Sequence, residues 1–228
     1  MVRGTKVISL GGSVISSGIF PNTVFLKSFV ALASSLKEQL VAVTGGGAVA
    51  KSYIHALRPI AKNEYYLDKV GIEATRLNAY SLMLVAKAQG LNAEIASSIG
   101  ELEDLLKFCK IVILPGQFPG ITTDADAVLA CEALGCNVLV NVSSVGYVYD
   151  KPPGSSGARK LKRISHRKLV ELASKYDTRE AKSGFVFDLL ACRLAQRSNI
   201  ELRFVNSEIS SIKQALNGRR FEGTLVKD

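Results

Sequence analysis

Five short runs of valine, isoleucine and leucine recur along the chain: KVISL (6–10), LVAVT (40–44), IVILP (111–115), NVLVNV (137–142) and ELRFV (201–205). They are apolar at nearly every position instead of every second one, the pattern of strands buried on both faces. Helical patterns fill the intervals at 22–37, 48–60, 64–89, 98–107, 122–134, 165–175, 183–197 and 208–216, with Asn22, Thr122 and Ser207 as candidate N-caps. This alternation predicts a mostly parallel sheet with helices on both sides. No repeat, low-complexity tract or long linker interrupts the 228 residues. The composition changes at DKPPGSSGARKLKRISHRKL (150–169), turn-rich and then basic. Two readings fit it: a surface excursion beside a charged helix, or a loop that closes over a polyphosphate.

A hydrophobic share of 47% with 21% charged residues describes a folded globular protein, not a disordered one. The net charge of +9 favours anionic partners, whether nucleotides, nucleic acid or an acidic surface. The basic residues Arg159, Lys160, Lys162, Arg163, Arg167 and Lys168 have no aromatic residue among them, which disfavours a nucleic-acid platform. The four cysteines form no C-x-x-C pair, and His55 and His166, in separate helical segments, read as structural or surface residues. A structural zinc site is therefore not expected, and free thiols fit a reducing cytoplasm. Arg3 and Lys6 precede an uncharged stretch from Val7 to Leu26, but its glycines, serines and Pro21 break any continuous apolar helix. The expectation is a cytoplasmic protein without a membrane partner.

Candidate chemistry lies where strands end. Gly11-Gly12-Ser13 follows KVISL, and Gly45-Gly46-Gly47 follows LVAVT. Open α/β sheets bind ligands at the carboxyl ends of their strands. Glycines there let backbone N–H groups approach an anion, aided by the positive end of the next helix. A pair of such turns predicts a polyphosphate cradle. Neither matches G-x-x-x-x-G-K-[ST] or G-x-G-x-x-G, so neither a P-loop nor a dinucleotide-binding fingerprint is present. A third loop, PGQFPGITTDADAV (115–128), also follows a strand, and its threonines open the next helix, where they can cap it or bind phosphate.

With these segments the chain resembles the archaeal-type UMP kinases of the amino-acid kinase superfamily. The resemblance runs almost end to end, through LGGSVI (10–15), TGGGAVAKSYI (44–54), LDKVGIEATRLNA (67–79), GQFPGITTDADA (116–127), VYDKPP (148–153), FDLLACRLAQRSNI (187–200) and EGTLV (222–226). It implies a three-layer α/β/α sandwich with a mostly parallel central sheet. One domain would span 1–228, with an acceptor-side lobe to about residue 115 and an ATP-side lobe from about residue 116. It further implies phosphoryl transfer from ATP to UMP with Mg²⁺. Gly12, Ser13, Gly47, Lys51, Ser143, Ser144 and Tyr149 would contact ATP. Gly46, Asp68, Gly116, Gln117, Phe118, Pro119, Gly120, Ile121 and Thr122 would surround UMP. Asp188 would organise the groups around the transferring phosphoryl. Homo-oligomers, hexamers or dimers, and control by UTP are family traits; metal ligands are not assigned.

The chain departs from the family pattern in three places. Ser9 stands where many superfamily members carry lysine, and Lys51 where arginine is usual. SSVGYVYDKPP replaces T-N-V-D-G-V-Y-x-x-D-P, with Ser144, Gly146, Tyr147 and Pro152 as the changes. These changes keep two alternatives in view: a weak or inactive nucleotide-binding sensor, and a kinase of the same fold with another small acceptor.

Overall fold

The computed structural model describes residues 4–176 and 187–228. Arg3, and residues 183–186 of the helix expected over 183–197, lie outside the described residues. In chain order the first half runs β1 (Lys6–Leu10), α1 (Gly12–Ile15), β2 (Ser16–Ser17), β3 (Phe20–Pro21), α2 (Thr23–Ser35), β4 (Leu40–Thr44), α3 (Gly47–Leu57), α4 (Glu64–Ala88), β5 (Ala93–Ile95), α5 (Leu102–Leu106) and β6 (Ile111–Leu114). The second half runs α6 (Thr123–Ala133), β7 (Val138–Val142), β8 (Val148–Tyr149), β9 (Lys160–Leu161), β10 (Arg163–Ile164), α7 (His166–Tyr176), α8 (Leu189–Arg197), β11 (Glu201–Val205), α9 (Ile209–Leu216) and β12 (Gly223–Val226).

All five apolar runs become strands of one eight-stranded sheet, ordered β10-β12-β11-β7-β1-β4-β6-β5. Every neighbouring pair is parallel except β11–β12. The unbroken apolar pattern has a direct cause, because successive residues enter two different cores. Val41 and Val43 of β4 pack with Val112, Leu114, Leu139 and Phe204 in one core, together with buried residues of α6, α7 and α8. Ala42, between them, joins Ile8, Leu10, Ile113 and Val142 in the other, with residues of α2, α4 and α9. Helices thus cover both faces, giving the expected sandwich.

Two caps form as expected. Asn22 accepts from the Phe25 N–H at 3.2 Å, and Thr122 accepts from the Ala125 N–H at 3.2 Å. Ser207 does not cap α9, whose N-cap residue is Glu208 without a side-chain bond. Instead the Asn206 side-chain oxygen Oδ1 accepts from the Glu208 N–H at 3.1 Å. This asparagine turn takes Ser207 into its bend and moves the helix start one residue on. The helix expected over 98–107 is split into a 3₁₀ turn at Ile99–Glu101 followed by α5. His166 is fully buried, its ring Nε2 2.8 Å from the Ile200 carbonyl, and His55 is exposed.

Candidate active site

The chain leaves β1 toward β4, β6 and β5 on one side and returns to β7 and β11 on the other. Ligands of open α/β sheets bind at such a reversal of strand order. The loops after β7, β1 and β4 are stitched in sequence there. The Gly11 N–H donates to the Val142 carbonyl and the Gly45 N–H to the Leu10 carbonyl, each at 2.9 Å.

The glycines first make room for each other. A Cβ on Gly12 would lie 1.9 Å from the Gly47 nitrogen, and one on Gly47 would lie 2.6 Å from the Gly12 carbonyl oxygen. One on Gly45 would meet the Gly12 nitrogen at 2.7 Å. Gly47 also holds a φ of 63°, which side chains rarely adopt. Gly46 faces elsewhere, toward Ala50 of its own helix and the Gly71 carbonyl of α4. The interlocked backbones bring Gly12 and Ser13 beside the first N–H groups of α3, which have no acceptor within that helix. Lys51, one turn into α3, is exposed, and among the described residues it makes no ion pair.

The third loop, Pro115–Thr122, is held along its length. The Gly116 N–H donates to the Thr75 hydroxyl at 2.8 Å, and the Gln117 N–H to Asp126 Oδ2 at 3.1 Å. The Gly120 N–H donates to Asp68 Oδ2 at 2.7 Å, with Gly120 at a φ of 79°. At the far end the Thr122 hydroxyl donates to Asp188, whose other oxygen accepts the Ala191 N–H at 3.0 Å and so caps α8. Asp68 and Asp188, far apart in sequence, therefore grip the same loop. Phe118 at its tip is 61% exposed and Gly120 faces open space, whereas Gly116 is buried.

Two further carboxylates belong to this site, and the sequence reading gave them no role. Asp124 Oδ1 accepts from the Ser9 hydroxyl at 3.0 Å and from the Asn141 amide at 2.8 Å. Burial pushes its pKa up to about 7, the Asp188 charge adds to this, and the two hydrogen bonds oppose it. Asp126 is fully buried; one oxygen takes the Gln117 N–H and the other has no partner. Burial also raises its pKa to about 7, opposed by the Gln117 N–H and reinforced by Asp188. No lysine or arginine among the described residues bonds to Asp124, Asp126 or Asp188. Ser9 satisfies a lone pair of Asp124 and supplies no charge. The one sequence signal was the spacing Thr-Thr-Asp-Ala-Asp, which reads as an acidic first helical turn.

On the other side, Ser143 accepts from the Gly146 N–H at 3.1 Å and Ser144 is exposed. Gly146 has a φ of 69°, and a Cβ there would lie 2.7 Å from the Asn206 nitrogen. The Tyr147 hydroxyl donates to Glu222, and the Lys160 ammonium lies 4.5 Å from the centre of its ring. Tyr149 pairs with Lys160 in the β8–β9 ribbon, and among the described residues no hydrogen bond joins it to the glycine turns. No group of three or more His, Cys, Asp or Glu side chains among the described residues could cage a metal. No described helix is long and apolar enough to cross a membrane.

Interlocked glycine turns and a clamped loop at the ends of central parallel strands define an α/β protein whose candidate site lies where open sheets of this class bind ligands. The sequence pattern of the Amino acid kinase family matches residues 4–206, and the chain belongs to that family. It is 36% identical over 224 residues to a uridylate kinase of Thermoplasma acidophilum, covering 97% of this chain and 96% of the relative. The uridylate kinase of Thermoplasma volcanium is 38% identical, with 97% of each chain covered. The crystal structure of the uridylate kinase from Archaeoglobus fulgidus superposes with a TM-score of 0.81 at 33% identity, over 97% of this chain and 99% of that one.

Proposed function

We propose that this protein transfers the γ-phosphoryl group of ATP to UMP, giving ADP and UDP for pyrimidine nucleotide synthesis. The carrying observation is the loop Pro115–Thr122, clamped by Asp68 and Asp188 beside the paired glycine turns, in a chain similar end to end to uridylate kinases. In the reaction a phosphate oxygen of UMP attacks Pγ, and the bond from Pγ to the oxygen shared with the β-phosphate breaks. Such a transfer needs in-line positioning and stabilisation of charge more than covalent help. Gly12, Ser13, Gly47, Lys51, Ser143, Ser144 and Tyr149 serve the donor. Gly46, Asp68 and residues 116–122 serve the acceptor, and Asp188 orients the groups between them. The two halves, meeting near residue 115, act as acceptor-side and donor-side lobes of one domain.

Mg²⁺, when bound, offsets the negative charge of the ATP phosphates. The oxygen donors here fit an ion that would be carried mainly by phosphate and water, with Asp188 or Asp124 as the side chains that would hold it, and not a protein cage. The same reading places the enzyme in the cytoplasm as a homo-oligomer, dimer or hexamer, under UTP control. The exposed Leu77, Tyr80 and Leu84 along α4 are consistent with self-association. A second reading, a nucleotide sensor without turnover, is favoured by the altered donor-side loop packed on Asn206.

The deciding assay follows ADP release from ATP and Mg²⁺ with UMP, CMP, AMP, GMP or no acceptor. Selective release with UMP is the expected result. UMP binding by calorimetry without release would leave the sensor reading, and neither would overturn both.

A further inference from the structure

One face of α4 touches both nucleotide loops. Asn78, 3% exposed, donates its amide to the Gly45 carbonyl at 2.7 Å. Thr75, 5% exposed, accepts the Gly116 N–H at 2.8 Å while its own proton goes to the Ile72 carbonyl at 2.6 Å. That proton assignment leaves a lone pair of the hydroxyl directed at Gly116. The Thr44 hydroxyl, at the end of β4, donates to the Thr75 carbonyl at 3.1 Å and ties the helix to the sheet. A Cβ on Gly46 would meet the Gly71 carbonyl oxygen at 3.3 Å and the Ala74 methyl at 3.6 Å, both on the same face. Residues 75 and 78 are separated by about 4.5 Å along a helix, close to the roughly 4.8 Å between neighbouring strands. The loops they hold follow β4 and β6, which are neighbours in the sheet.

We propose that Thr75 and Asn78 are positioning residues that fix the spacing between the glycine turn and the acceptor loop. What the loops bind rests on the kinase reading above. Neither residue touches a reacting atom. Thr75 sets where the acceptor loop presents its pocket, and Asn78 sets the orientation of the N–H groups at Gly46 and Gly47. A 1 Å error at either loop would misalign an in-line transfer. Loss of Thr75 therefore weakens UMP binding selectively, whereas loss of Asn78 disturbs the turn that Gly46 and Gly47 share between acceptor and donor and lowers the rate.

The test compares Thr75→Val, which keeps the shape and removes the hydroxyl, with Thr75→Ser, which keeps the hydroxyl. Asn78→Leu is added as a third variant. Backbone hydrogen exchange of segments 44–50 and 114–121 is measured without nucleotide, then UMP and ADP affinity by calorimetry, then turnover. Thr75→Val is expected to speed exchange in 114–121 and weaken UMP about tenfold, the scale of one hydrogen bond, with ADP affinity within about twofold. Thr75→Ser should match the parent. Asn78→Leu should speed exchange in 44–50 and lower kcat by roughly ten- to a hundredfold. Thr75→Val indistinguishable from Thr75→Ser overturns the proposal, as does equal weakening of UMP and ADP in step with a falling Tm. If Asn78→Leu does not fold, the threonine pair alone decides. A parent that binds no UMP removes the kinase reading, while the exchange comparison still passes or fails on its own.

Discussion

Asp126→Asn should stabilise the protein more at pH 8.5 than at pH 5. The folded carboxyl titrates near 7 and its ordinary value is 3.8, so between these values the native state holds a proton that the unfolded chain has lost. Its contribution to stability is therefore largest at low pH and is lost as pH rises through about 7. From pH 5 to pH 8.5 about two pK units are traversed, an upper figure of roughly 2.7 kcal/mol. Relaxation of the site around the charged carboxylate lowers that figure, and the extra gain expected at pH 8.5 over pH 5 is about 1–2 kcal/mol, or roughly 2–8 °C in Tm. The amide is close in shape to the protonated carboxyl: its oxygen keeps the Gln117 N–H, and its NH₂ takes the place of the buried oxygen that has no partner. Urea melts of parent and variant at pH 5 and pH 8.5 read the difference directly. An equal difference at both pH values, or a variant less stable at pH 8.5 than at pH 5 relative to the parent, refutes the account of Asp126 as a buried carboxyl ionised at a cost.

Asp188→Asn keeps a good helix cap, so Tm should move by no more than about 2 °C while turnover falls by about a hundredfold or more. Turnover within a few-fold of the parent would remove Asp188 from the reaction centre. Gly146→Asp restores the residue common in the family and should nevertheless destabilise by about 2 kcal/mol or more, since its Cβ would meet Asn206 at a positive φ. A neutral or stabilising result in a thermal melt would show that the 143–149 loop lies elsewhere.

Much of the architecture was legible in the sequence because unbroken Val, Ile and Leu runs can satisfy only a strand facing two cores. What escaped of the main sheet were β5, β10 and β12, of two to four residues each, too short to show a period. Ser207 misled because the competing Asn206 turn is decided by a single side-chain bond. The glycine turns were visible, yet what they make room for was not. Proximity to phosphate was the natural reading, and mutual contact between residues 12 and 47 depends on which strands lie side by side. Asp126 was hidden for a similar reason. An acid in a first helical turn looks like a dipole partner until the helix is seen to turn it inward. Thr75 and Asn78 lay inside a motif whose resemblance was clear, but nothing in linear spacing says which loop a helix face will meet.

The contact between Gly12 and Gly47 also bears on engineering. Two turns that cannot each accept a methyl group behave mechanically as a single part made from two pieces of chain. Grafting either turn from a relative with a different backbone path would require its counterpart to come with it. A library that varies the β1 turn alone explores almost no foldable space, whereas one that varies both turns together can shift the cradle as a unit.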